Sequence, residues 1–220
     1  VLGSRGLGDV YKRQGRAAAA QHSQNLNAVI AHFPGSKIVI PSDAYTAKGL
    51  LKSAIRDNNP VIVVEHRKHY SVEFDMPDDG DENLLLPIGK SVVVHEGSDV
   101  TVVANSFQVG QCVKVAKHLE KKKGVSVEVV DLRTLVPLDK ETIIKSVKKT
   151  GRLLIVDEGY TSFGVAAEIC AAIQDEVFYD LDAPIQRLCA PDVSIPFSPA
   201  LEKLVVPNEN TILAAVEKLL

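Results

Sequence analysis

The chain has 220 residues, a formal net charge of −3 and an apolar fraction of 45%, a composition that suits one large or two modest globular domains. Its longest basic run is Lys121-Lys122-Lys123, and with no basic stripe or block a nucleic-acid partner is not expected; no apolar run approaches the roughly 18 residues of a membrane-spanning helix. The three cysteines, Cys112, Cys170 and Cys189, lack CxxC spacing, a pattern of a reducing compartment rather than of a zinc site or disulfide framework.

Residues 1–14 (VLGSRGLGDVYKRQ) are glycine-rich and follow neither the helical nor the strand period, so they read as a foreign or unstructured leader. Ser23 is placed to cap a helix reaching about His32. Pro34-Gly35 breaks the chain, and Lys37 to Ile40 reads as a buried strand. Ser42 is the expected cap of the next helix, whose Ala47, Leu50, Leu51, Ala54 and Ile55 share one face. Asp57-Asn58-Asn59-Pro60 stops that helix before a second apolar strand, Val61 to Val64. Strand, helix and strand with continuous apolar strands predict a parallel sheet covered on both faces.

Pro77 to Glu82 is acidic and turn-rich, so residues 76–90 read as a linker between a partial domain over 15–75 and a complete one over 91–220. In the second domain, Val92 to Val94 and Val100 to Val103 suggest a hairpin around Gly97-Ser98-Asp99. A helical stripe follows at Val109, Cys112, Val113, Ala116 and Leu119, then a strand over 125–132. Asp139 caps a helix through Lys149, 153–156 is another strand, and Ala166, Ile169, Cys170 and Ile173 mark a further helix face. Asn208 caps a last helix carrying Ile212, Val216 and Leu219. The alternation predicts a doubly wound α/β domain.

Five stretches, in this order and spacing, carry a resemblance: residues 20–24 (AQHSQ), 47–60 (AKGLLKSAIRDNNP), 130–137 (VDLRTLVP), 163–169 (FGVAAEI) and 181–184 (LDAP). Together they resemble the beta subunits of thiamine diphosphate-dependent 2-oxo acid dehydrogenases, most closely those acting on pyruvate, over about residues 20–220. The resemblance implies a partial transketolase-type pyrimidine-binding domain followed by a complete transketolase C-terminal domain. It also implies an α2β2 heterotetramer, with thiamine diphosphate shared with the alpha subunit and Mg²⁺ held on that subunit. The implied reaction is decarboxylation of a 2-oxo acid with acyl transfer to lipoyl groups of an acyltransferase core, in the mitochondrial matrix, the plastid stroma or the bacterial cytoplasm. Branched-chain 2-oxo acid and acetoin dehydrogenases are the alternatives within that chemistry, and a docking module for the acyltransferase is the alternative outside it.

Residue by residue, His22 matches the family's active-site histidine; just before a helix N-terminus its imidazole would be held neutral for proton transfer. Ala54, Ile55, Asp57 and Asn59 match a structural potassium site, where helix-end carbonyls and side-chain oxygens suit a hard cation. Glu65-His66 and Asp157-Glu158-Gly159 end strands, where ligands of open α/β sheets gather, although a solvated strand end and a structural turn are the plainer readings. The family's glutamate against the pyrimidine ring lies upstream of His22, and residues 1–19 do not carry its motif, so the chain as given is expected to be inactive. Asp180, Asp182, Glu202 and Glu209 are candidates to meet a basic partner.

Overall fold

The computed structural model describes residues 7–12, 17–76 and 83–220, the first of these by backbone alone. Strand β1 (Leu7–Lys12) is followed by two short helices, α1 (Ala19–His22) and α2 (Asn27–Ala31), then β2 (Lys37–Val39), α3 (Ala44–Arg56) and β3 (Val61–His66). The chain continues through β4 (Val92–His95), β5 (Val100–Ala104), α4 (Phe107–Lys123), β6 (Val127–Asp131), β7 (Thr134–Val136), α5 (Lys140–Thr150) and β8 (Leu153–Tyr160). It ends with α6 (Val165–Val177), β9 (Gln186–Ala190), α7 (Pro199–Val205) and α8 (Glu209–Glu217).

Two sheets result, one ordered β1-β3-β2-β7 and the other β4-β6-β5-β8-β9. The expected parallel pairing of the first unit is present, with Lys37, Ile38 and Val39 opposite Val61, Ile62 and Val63. Residues 7–12, expected in an unstructured leader, instead pair in parallel along the whole of β3. The reason lies in the backbone: both edges of β3 present N–H and C=O groups that need partners, and that demand leaves no side-chain period to read. The remainder of the leader, and Pro77 to Glu82 of the linker, lie outside the described residues. The second half of the linker is packed down: Leu84 is buried, and the Ser53 hydroxyl on α3 donates to the Leu86 carbonyl at 2.6 Å.

Three local expectations are corrected. The helix expected from Ser23 to His32 is shortened to Asn27–Ala31, with a break between it and the preceding turn α1, and Ser23 closes α1 rather than opening α2. Asn25 causes the break, because its side-chain oxygen accepts the Asn27 N–H at 3.1 Å and so competes with the helical bond. Asp43, not Ser42, caps α3, through a reciprocal capping box with Thr46. The valine pair around Gly97 is no hairpin, since β4 runs antiparallel to β6 while β5 lies between β6 and β8. All five residues of β5 are buried, so it takes the central slot with parallel neighbours on each side. The half-exposed β4 is left at the edge.

Beyond β6 the chain reverses at Arg133, whose φ is +55°. That reversal sends β7 out of its own sheet to pair antiparallel with β2, Ile38 facing Val136. The two sheets therefore share one core, in which Ile38, Ile40 and Val64 pack with Val103, Val130 and Ile155 against Ile143 on α5 and Ile169 on α6. Each such fully buried aliphatic side chain contributes about 1.5–3 kcal/mol. On the other face of the second sheet, Val102, Val129 and Leu154 pack against Cys112 and Leu119 of α4 and Ile212 and Val216 of α8. The capping of α5 by Asp139 and of α8 by Asn208 is as the sequence predicts.

Candidate active site

The carboxyl ends of β3 and β8 converge where the two sheets meet. His66 at the end of β3 and Glu158 near the end of β8 are both 1% exposed, and His66 Nε2 lies 2.9 Å from Glu158 Oε2. The Lys68 backbone N–H donates to His66 Nδ1 at 3.2 Å. That bond requires an unprotonated Nδ1 and assigns the proton to Nε2, so the imidazole donates to the carboxylate. Glu158 Oε1 accepts from Gln108 Nε2 on α4, whose amide also reaches the Pro207 carbonyl. Phe107 stacks on the His66 ring, with centroids 5.1 Å apart and planes at 21°. Beside this group, Asn105 donates to Asp157 Oδ1 at 3.1 Å.

A second polar tie joins the sheets. The Ser42 hydroxyl donates to Asp131 Oδ2 at 2.5 Å, and the Arg133 N–H to Asp131 Oδ1. Burial pushes the Asp131 carboxyl up to about 6 against the pull of those two donors.

His22 is the last residue of α1 and is exposed. The expected position before a helix N-terminus is thus corrected: Asn25 breaks the helix after it, and His22 stands at the carbonyl end of a single turn. The segment that follows leans on the end of β8. Tyr160 donates to Gln24 Oε1 at 3.4 Å, and Gly159 is so close to Asn25 and Asp157 that an added Cβ would sit 3.6 Å from Asn25 Nδ2 and 2.6 Å from Asp157 Oδ2. Within this region Ser23 Oγ, Asn25 Nδ2, both polar atoms of the Asn27 side chain and Asp157 Oδ2 are buried with no hydrogen-bonding partner among the described residues. The Glu65–His66 and Asp157–Gly159 strand ends are therefore brought to one place, with the His22 segment against the second of them.

Ala54, Ile55, Asp57 and Asn59 are gathered at the C-terminus of α3 as their spacing requires, but the Asp57 carboxylate, the Asn59 amide and the Ala54 carbonyl are already hydrogen-bonded. Asp57 Oδ2 is 2.5 Å from the Lys37 ammonium, Asp57 Oδ1 accepts the Asn59 backbone and side-chain N–H groups, and the Asp57 N–H donates to the Ala54 carbonyl. The Lys37 bond holds the Asp57 carboxyl down at about 2. Asn59 turns its amide NH₂, not its oxygen, toward the carboxylate. These residues as arranged do not fit a potassium ion. Among the described residues, no group of three His, Cys, Asp or Glu side chains could hold a metal.

Three of the four acidic residues suggested for a basic partner are engaged within the chain. Asp180 pairs with Lys148 and Glu209 with Lys114, while Glu202 is 3% exposed and accepts the Ala17 N–H. Burial raises the thiols of Cys112, Cys170 and Cys189, which suits packing rather than nucleophilic chemistry. Gln108 escaped the sequence reading although a signal was present. It lies four residues before Cys112, on the buried stripe of α4, where a polar residue needs a partner.

Comparison with known proteins gives the following. The family described as Transketolase, C-terminal domain, matches residues 89–212, and the one described as Transketolase, pyrimidine binding domain, matches residues 13–72. The beta subunit of the mitochondrial pyruvate dehydrogenase E1 component of Bos taurus is 46% identical over 204 residues, 92% of this chain and 56% of its own length. The beta subunit of acetoin:2,6-dichlorophenolindophenol oxidoreductase of Cupriavidus necator is 43% identical over 93% of this chain and 59% of its own. The 2-oxoisovalerate dehydrogenase subunit beta of Bacillus subtilis is 43% identical over 91% and 61%. The chain thus spans little more than half the length of these relatives. A solved structure described as a split gene transketolase, inactive beta4 tetramer, superposes with a TM-score of 0.74 at 23% identity, covering 97% of this chain and 65% of that one; it shows the shared fold.

Proposed function

Because this chain belongs to the transketolase C-terminal domain family, with a pyrimidine-binding domain matched ahead of that region, we propose that it acts as the beta subunit of a 2-oxo acid dehydrogenase. Its substrate in this reading is pyruvate, and its acetyl product passes to lipoyl groups of an acyltransferase core. The observation that carries the reading is the identity of 46% with a pyruvate dehydrogenase beta subunit across both matched domains. Relatives named for acetoin and for 2-oxoisovalerate stand at 43%, so these two substrates define the second reading.

In this proposal the working unit is a heterotetramer with an alpha subunit, which holds the diphosphate and Mg²⁺. Thiamine diphosphate, when bound, supplies the electron sink for decarboxylation. The orphaned Ser23 hydroxyl and Asn27 amide next to His22 fit a polar group arriving from outside the chain. His22, exposed at the end of α1, gives or takes the proton at its imidazole as the acyl group passes to lipoyl sulfur. The His66–Glu158–Gln108 group does not touch the reacting atoms in this reading; it holds the two domains at the angle that presents His22. The relatives divide between mitochondrial and bacterial proteins, and the matrix or the bacterial cytoplasm is the compartment proposed.

The test is the complete subunit, reconstituted with an alpha partner and offered pyruvate, 2-oxoisovalerate and acetoin separately. Pyruvate should be preferred, and His22→Ala should lower reductive acetylation of a lipoyl domain by at least about 10²-fold. Full acetylation by the His22→Ala enzyme would overturn the role of that residue. Turnover of none of the three substrates would overturn the function.

A further inference from the structure

We propose that the Lys37 ammonium is the resident cation at the C-terminus of α3, standing where a potassium ion would otherwise neutralise Asp57, so that the fold of this chain needs no monovalent metal. The end of a helix 13 residues long leaves carbonyls without intrahelical partners and with the negative end of the dipole. Positive charge belongs there. Arg56 supplies part of it by donating to the Lys52 carbonyl at 3.1 Å. Asp57, immediately beyond the helix, adds negative charge at the same place and sharpens the need.

Sheet register delivers Lys37 to this point. Lys37 pairs with Val61, and its N–H donates to the Pro60 carbonyl at 2.9 Å, which anchors the backbone beside the loop from Asp57 to Pro60. The side chain then needs only to extend along that loop to place Nζ 2.5 Å from Asp57 Oδ2. With Asp57 Oδ1 taken by two N–H groups of Asn59, a metal ion would have to displace the ammonium or sit against a like charge. A hard cation in addition requires a shell of oxygens, and Asn59 presents nitrogen.

Thermal melts of the chain in potassium, sodium and choline chloride at one ionic strength decide the matter. The natural chain should melt at one temperature in all three salts. Lys37→Gln should lower that temperature by about 2–4 °C, the loss of one partly exposed ion pair in a chain of this size, and Lys37→Arg should hold it. A rise in the melting temperature of the natural chain specific to potassium would overturn the proposal. So would a Lys37→Gln chain that melts with the natural one in choline. If Lys37→Gln does not fold, the salt series on the natural chain and on Lys37→Arg still gives the answer.

Discussion

Replacing His66 with Phe isolates the buried tie between the two sheets. Phe keeps a ring on Phe107, whose centroid is 5.1 Å from that of His66, and removes the Nε2–H that reaches Glu158 together with the Nδ1 that accepts the part-buried Lys68 N–H. A hydrogen bond to a charged group contributes about 1.5–3 kcal/mol. Leaving a buried carboxylate short of a partner adds to that loss, and a broken buried pair costs about 3–5 kcal/mol. Glu158 is 1% exposed and keeps the Gln108 amide at 2.9 Å, so the lower part of that range applies, about 3 kcal/mol. For a chain of this length the melting temperature should fall by about 6–12 °C. Because His66 belongs to the first unit and Glu158 and Gln108 to the second, the variant should also melt less cooperatively, the first unit loosening at the lower temperature. Adding Glu158→Leu to His66→Phe should recover at least half of the loss, since an apolar pair of similar volume replaces an uncompensated charge. Circular dichroism melts and urea titrations of the two single variants and the double variant give the coupling energy directly. A His66→Phe chain that melts within about 2 °C of the natural one, or two single effects that simply add, would refute the tie.

The other predictions follow from named contacts. Asp131, raised from 3.8 to about 6, binds its proton more tightly in the folded chain. Its contribution is therefore fully present below pH 3.8 and is lost as pH rises through about 6. Between pH 4 and 7 the natural chain should lose about 2 kcal/mol relative to Asp131→Asn; urea titrations across that range check it, and parallel curves would contradict it. Gly97→Ala should destabilise by about 1–3 kcal/mol, because its Cβ would lie 2.2 Å from the Val127 carbonyl carbon and 2.3 Å from the Glu128 nitrogen, both in a strand that cannot yield; thermal melts read it out.

Periodicity and punctuation determined most of the local structure. Ile38 and Val39, Val61 to Val64, and Val100 to Val103 read as buried strands because continuous β-branched runs suit a sheet covered on both faces, and they are strands here. Asp139 and Asn208 read as caps because their side-chain oxygens satisfy first-turn N–H groups within three residues. The family pattern of residues 20–24, 47–60 and 163–169 is equally a property of sequence order.

What required the tertiary structure is every partnership between residues far apart in the chain. His66 and Glu158 each ended a strand with no sign of the other, 92 positions away. Ser42 read as a cap until Asp131 was set beside it. Lys37 and Asp57, both legible as ordinary charges, became one group when β2 took its register on β3. Which strand lies beside which, and that β7 leaves its own sheet for the other, follow from filling backbone edges and a shared core. These are global demands that no local period encodes.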